Sequence, residues 1–126
     1  MVRQQQHTAD WADYCKTLLS SGLAKPRKGH DAGDHPPITP CRAAGRGELD
    51  GDSWRIYDYI VRHFLASVSP NCKYDQTVAV VECGGEGFSF TGKKLVDPGY
   101  TEVFPWQAIP QEESVPAVSQ GERLKV

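Results

Sequence analysis

The stretch Ser53-Trp54-Arg55-Ile56-Tyr57-Asp58-Tyr59-Ile60-Val61-Arg62-His63-Phe64-Leu65-Ala66-Ser67 decides how the first half of this chain folds. Tyr57, Ile60, Val61, Phe64, Leu65 and, just beyond, Val68 recur at three- and four-residue spacing, with Arg55, Asp58, Arg62 and His63 on the other side. That is the period of an α-helix with one apolar face. Asp52 or Ser53 is the expected N-cap, and Pro70 with Asn71 ends the helix after about Ser67. Burying so many large side chains contributes on the order of 10 kcal/mol before chain entropy is subtracted. This helix is therefore the expected anchor.

Working outward, residues 42–52 form a polar, glycine-bearing connection, preceded by the loop Lys25–Cys41. Before the loop, Trp11, Cys15, Leu18 and Leu19 make a second apolar stripe, predicting a helix from Thr8 or Asp10 to Ser21 that stops at Gly22. Residues 1–8 are polar and expected to fray. After Asn71 the character changes. Gln76–Cys83 is short and β-branched, Gly84, Gly85 and Gly87 mark a turn, and Phe88–Gly92 alternates, so an antiparallel hairpin is predicted. Lys93–Val96 continues it, Asp97-Pro98-Gly99 is a turn, and Thr101–Phe104 and Leu124–Val126 read as further strands around a 107–117 linker. The expected class is α+β, with two helices flanking a proline-rich loop and then an antiparallel β meander. Residues 1–70 are its helical part and 71–126 its β part.

Composition narrows the function. The chain has 126 residues, enough for one domain, with 39% hydrophobic residues and net charge −2. Mean hydropathy is −0.50 and the pI about 6.0. A protein coated in positive charge is excluded, so any nucleic-acid binding must come from a local patch. No segment approaches a membrane-spanning run, and no membrane partner is expected. Cys15, Cys41, Cys72 and Cys83 are scattered, without a C-x-x-C pair, which suits free thiols in a reducing, intracellular setting. No Walker loop, Rossmann fingerprint, G-x-S-x-G or H-E-x-x-H occurs.

The chemistry concentrates between Lys25 and Cys41. Lys25, Arg27, Lys28 and His30 open the loop, Asp31, Asp34 and His35 follow, and Pro36, Pro37 and Pro40 stiffen the rest. His35 has three readings: a surface histidine, a metal ligand, or an imidazole placed against an anionic substrate. The cations are either a solvated charge run or a set of contacts to successive phosphates. Trp106, Tyr100 and Phe104 could stack unpaired bases or pack in a sheet. His30, Asp31, Asp34 and His35 are metal-ligand types, but a metal centre needs three or four converging ligands, and a metal-dependent hydrolase is the weaker reading.

Gly29-His30-Asp31-Ala32-Gly33-Asp34-His35-Pro36-Pro37-Ile38-Thr39-Pro40 resembles the His-Pro-Pro-Ile-x-Pro signature of the type IA DNA topoisomerases, in particular their eukaryotic III-beta branch. The resemblance continues through Trp54–Ala66, Cys72-Lys73-Tyr74 and Pro98–Trp106, covering nearly the whole chain. It implies part of a toroidal enzyme: the end of the nucleophile-bearing domain, then β segments of the arch that hinges its gate. In the family a tyrosine attacks a phosphodiester and is later displaced, so one strand is opened, another passes, and the backbone reseals without a nucleotide cofactor. The role of the signature histidine at the scissile region maps onto His35, with Lys25, Arg27, Lys28 and His30 as strand contacts.

The same resemblance implies Mg²⁺ held by acidic residues elsewhere in the full-length enzyme and none in this segment. It also implies single-stranded DNA as substrate with RNA as the second choice, and the rest of the enzyme and a Tudor-domain protein as partners. The nucleus is the implied location, with the cytoplasm as a second compartment. The family's Tyr-Pro-Arg-Thr-Glu nucleophile motif is not found, so Tyr14, Tyr57, Tyr59, Tyr74 and Tyr100 receive no nucleophilic role, and Cys41 departs from the usual continuation of the signature. An interior fragment, inactive alone, is the expectation. A stand-alone single-strand-binding module is the alternative.

Overall fold

The computed structural model describes residues 1–8, 10–25, 29–110, 115 and 118–123. Arg27, Lys28 and the strand expected at 124–126 lie outside the described residues, as does part of the 107–117 linker. Helices α1 (Val2–Gln5), α2 (Ala12–Ser21) and α3 (Gly51–Ser67) precede strands β1 (Lys73–Cys83) and β2 (Glu86–Asp97), followed by 3₁₀ turns at Gly99–Glu102 and Pro105–Gln107. The class is α+β, as expected. Among the described residues the sheet has two strands instead of a meander. No described helix is long and apolar enough to cross a membrane.

The chain forms two compact units. The first comprises Met1–Cys72 and Pro98–Ala108, and the second includes the hairpin Lys73–Asp97. The core of the first gathers Val2, Trp11, Cys15, Leu18, Trp54, Val61, Leu65, Val103 and Phe104. The α2 stripe packs as its periodicity requires, with Cys15 and Leu18 buried. At its centre the Trp11 and Trp54 rings stack at 5.9 Å with planes 6° apart, and Tyr57 tilts against both. Guanidinium groups lie over these rings, Arg62 over Trp11 at 5.7 Å and Arg46 over Trp54 at 5.3 Å.

Four local expectations are corrected. The N-terminus does not fray: Val2 and Gln5 are buried in α1, because Gln5 finds buried polar partners described below. Helix α2 starts at Ala12 after Trp11, with no side-chain cap; Asp10 instead pairs with Arg46 at 2.8 Å. Helix α3 is capped by Asp50, whose Oδ1 accepts from the Ser53 amide at 3.1 Å, so Asp52 and Ser53 already lie in the first turn. Thr101–Phe104 is not a strand. Enclosed by Pro98 and Pro105, this segment closes i→i+3 bonds, Thr101 N–H to Pro98 O at 3.0 Å among them, and buries Phe104. Gly99 (φ +48°) permits the turn, and a Cβ there would collide with the Asn71 carbonyl.

In the second unit β1 and β2 pair antiparallel from Tyr74↔Leu95 to Cys83↔Glu86. Gly84 and Gly85 alone form the turn, at φ +62° and +84°, the backbone hand that two-residue hairpin loops need. Gly87 belongs to β2.

Candidate nucleic-acid interface

The loop from Gly29 to Thr39 has no regular secondary structure and is exposed along its length, while Pro40 is buried at its end. Its acids organise backbone. Asp31 Oδ1 accepts from the Gly33 amide at 2.8 Å, and Gly33 takes φ +72°. Asp34 Oδ1 accepts from the His35 amide at 3.0 Å. The His35 ring sits between two acceptors, with Nε2 3.5 Å from Asp34 Oδ2 and Nδ1 3.3 Å from the Pro36 carbonyl. The side chain is 77% exposed. Long contacts of this kind orient a ring weakly and leave its N–H groups open to a better acceptor arriving from solvent.

The downstream end of the loop is held by a partly buried polar node that the sequence did not disclose. Tyr57 on α3 donates its hydroxyl proton to the Arg42 carbonyl at 2.7 Å and accepts from the Ala44 amide at 3.0 Å. Gln5 on α1, fully buried, donates from Nε2 to Tyr57 Oη at 3.0 Å and to the Arg42 carbonyl at 3.2 Å. Its Oε1 accepts from the Trp11 indole at 3.0 Å. Residues 42–44, just past the prolines, are therefore pinned to α1 and α3. Beyond them Glu48 accepts from the Gly45 amide at 2.8 Å and pairs with Arg42 at 2.9 Å, and these bonds lower its carboxyl pKa. In the sequence Tyr57 reads only as an apolar-face residue and Gln5 as part of a polar tail. A hydroxyl-bearing aromatic on a core face was the one available signal, since such a group needs a partner when buried.

Of the strand-contact residues named from sequence, His30 is exposed in the same loop as His35. Lys25 lies elsewhere, on the wall of a groove of about 460 Å³ that also contains His63, Ser67, Asn71, Tyr100 and Gln107. Neither His30 nor His35 lines that groove. Trp106 is exposed, whereas Phe104 is buried in the core and Tyr100 half-buried, so the three aromatics do not act alike. Trp106 joins a ladder with Tyr59 at 5.4 Å and Phe104 at 5.0 Å. A second groove beside it is lined by Asp52, Arg55, Ile56, Asp58, Tyr59 and Trp106.

The hydrolase reading fails on geometry. Among the described residues no three His, Cys, Asp or Glu side chains converge on a point, and Asp31 and Asp34 are engaged in turns. Among the described residues no set of acids fits a Mg²⁺ centre.

The loop thus presents an exposed imidazole to solvent, with its downstream end anchored to a helical core. A family model described as DNA topoisomerase matches residues 1–126, and the chain belongs to that family, the type IA DNA topoisomerases. It is 52% identical over 125 residues to human DNA topoisomerase 3-beta-1, covering 99% of this chain and 14% of that protein. Identity is 46% over 125 residues to DNA topoisomerase 3-beta of Arabidopsis thaliana, again 99% of this chain and 14% of the other. DNA topoisomerase 1 of Archaeoglobus fulgidus is 34% identical over 110 residues, 86% of this chain and 16% of that one. The chain thus spans about one-seventh of the length of the III-beta relatives it matches.

Proposed function

We propose that these residues act within a topoisomerase that cuts one DNA strand through a phosphotyrosyl link, passes another strand and reseals the break. The tyrosine comes from outside this segment, and so do the acidic residues that would hold Mg²⁺. The contribution of this chain is His35. As the phosphodiester is attacked, negative charge grows on its non-bridging oxygens, and an imidazole N–H aimed at one of them stabilises that charge. A turn bonded through Asp34 and braced by Pro36 and Pro37 holds the ring while leaving it open to the strand. The observation that carries this reading is the 77% exposure of the His35 side chain between its two long contacts.

His30 is proposed as a neighbouring phosphate contact, and Lys25, Arg27 and Lys28 as further contacts. Single-stranded DNA is the proposed substrate, with RNA as the second candidate. A Tudor-domain partner and a nuclear location, with some cytoplasmic protein, complete the reading. Support for all of these is the family resemblance. In the full-length enzyme His35→Ala should slow strand cleavage by about 10²–10³-fold while leaving folding intact, as measured by single-turnover cleavage of an end-labelled strand. An unchanged cleavage rate would remove His35 from the reacting centre.

A further inference from the structure

The groove that holds Lys25 is separate from the loop that carries His35, and its chemistry points to an anion. Lys25 supplies an ammonium, His63 an imidazole, and Asn71 and Gln107 amides, while none of its described lining side chains is a carboxylate. That composition stands out in a chain with 16 acidic residues and a net charge of −2. The adjacent groove, by contrast, includes Asp52 and Asp58.

The groove lies at the carboxyl end of α3, where open carbonyls would repel a phosphate. Here they are capped. Phe64 O accepts from Ser67 Oγ at 2.7 Å, and Leu65 O accepts from Ser69 Oγ at 2.6 Å and the Val68 amide at 3.2 Å. Ala66 O accepts from the Ser69 amide at 3.1 Å, and Val68 O from the Ala24 amide at 2.8 Å.

Beyond His63 the surface becomes aromatic. The His63 ring stacks on Tyr59 at 6.2 Å and meets Phe104 at 5.6 Å, and Tyr59 and Phe104 both contact Trp106. Trp106 is 59% and Tyr59 49% exposed, so two ring systems stand at the surface beside the cationic groove. A free inorganic anion would have no use for that ladder, and an apolar peptide would have little use for the ammonium and amides. A nucleotide unit uses both, since every base offers a π-face.

We propose that this groove is a second single-strand contact, seating a backbone phosphate against Lys25, His63 and Asn71 and an unpaired base on Trp106 and Tyr59. The inference rests on the nucleic-acid reading above and adds a place on the molecule that the signature loop does not supply. Seating is sequence-tolerant, because stacking and charge read no base edge.

The test is anisotropy titration of a fluorescein-labelled short oligothymidylate with the chain at two salt concentrations, with circular dichroism confirming each variant's fold. Stacking on the exposed Trp106 should quench its emission, and Trp106→Ala should weaken binding about tenfold. Lys25→Gln should weaken it and reduce the salt slope by about 0.7. Photocrosslinking with a 5-iodouridine-substituted strand should mark Trp106 or Tyr59. Binding that persists unchanged in Lys25→Gln and Trp106→Ala would overturn the groove while leaving the His35 cleavage reading untouched. So would absence of binding, or shielding of Trp106 from iodide in the full-length enzyme before any strand is added, which would assign the groove to protein packing. Loss of the His35 cleavage effect alongside intact groove binding would sink the catalytic reading and keep this one.

Discussion

At the scale of single residues, Gln5 shows how much a polar side chain can organise once it is enclosed. Its amide joins the Trp11 indole, the Tyr57 hydroxyl and the Arg42 carbonyl into one satisfied set, so its removal strands buried donors and acceptors. Gln5→Ala should cost about 1–3 kcal/mol in urea unfolding. It should also speed hydrogen exchange at the Ala44 amide, which is bonded to Tyr57. An unaltered Ala44 rate would mean that the node does not hold the loop anchor. Cys15 lies in the same core, and burial pushes its thiol up to about 11, which makes it unreactive at neutral pH. His35 is the opposite case. Its residue type and its proline brace were readable from the chain, and the ring stands in solvent as its proposed chemistry requires.

At the scale of elements, helix positions followed from apolar spacing and helix starts did not. Asp50, Asp52 and Ser53 are all acceptable caps by residue type, and backbone direction chose Asp50, with φ −69° and ψ 172°. Hydrogen bonds from the Ser53 hydroxyl and amide hold the Asp50 carboxyl below the usual carboxylate range. A carboxyl lowered in the folded state contributes stability that is complete above its unfolded pKa, about 3.9, and is lost as pH falls through the folded value. Asp50→Ala should therefore lower Tm by a few degrees at neutral pH. The gap between variant and parent should close as the pH is lowered past that range, as followed by thermal melts across a pH series. A gap independent of pH would assign the loss to helix propensity instead. The Thr101–Phe104 segment failed as a strand for an equally local reason. Two prolines leave no room for a ladder, and Phe104 is worth more in the core than on an edge.

At the scale of the whole molecule, Leu65 and Val61 sit at the centre of the helical unit with no exposed surface. Leu65→Ala should cost about 2–5 kcal/mol in urea unfolding, and a cost well below that would mean the surrounding side chains close over the cavity. The hairpin unit is built differently: Val78, Val80, Phe88 and Val96 remain exposed on a two-stranded ladder. The sequence by itself determined the α+β class, the positions of α2 and α3, the hairpin and the signature loop, because each depends on spacing or turn chemistry within a few residues. Only the tertiary structure decided that Gln5 is a core residue, that Pro98–Ala108 packs with the helical unit, and that Lys25 and His63 line one groove. Those outcomes join residues tens of positions apart, and no local period records which distant partner will satisfy a buried amide or close a groove.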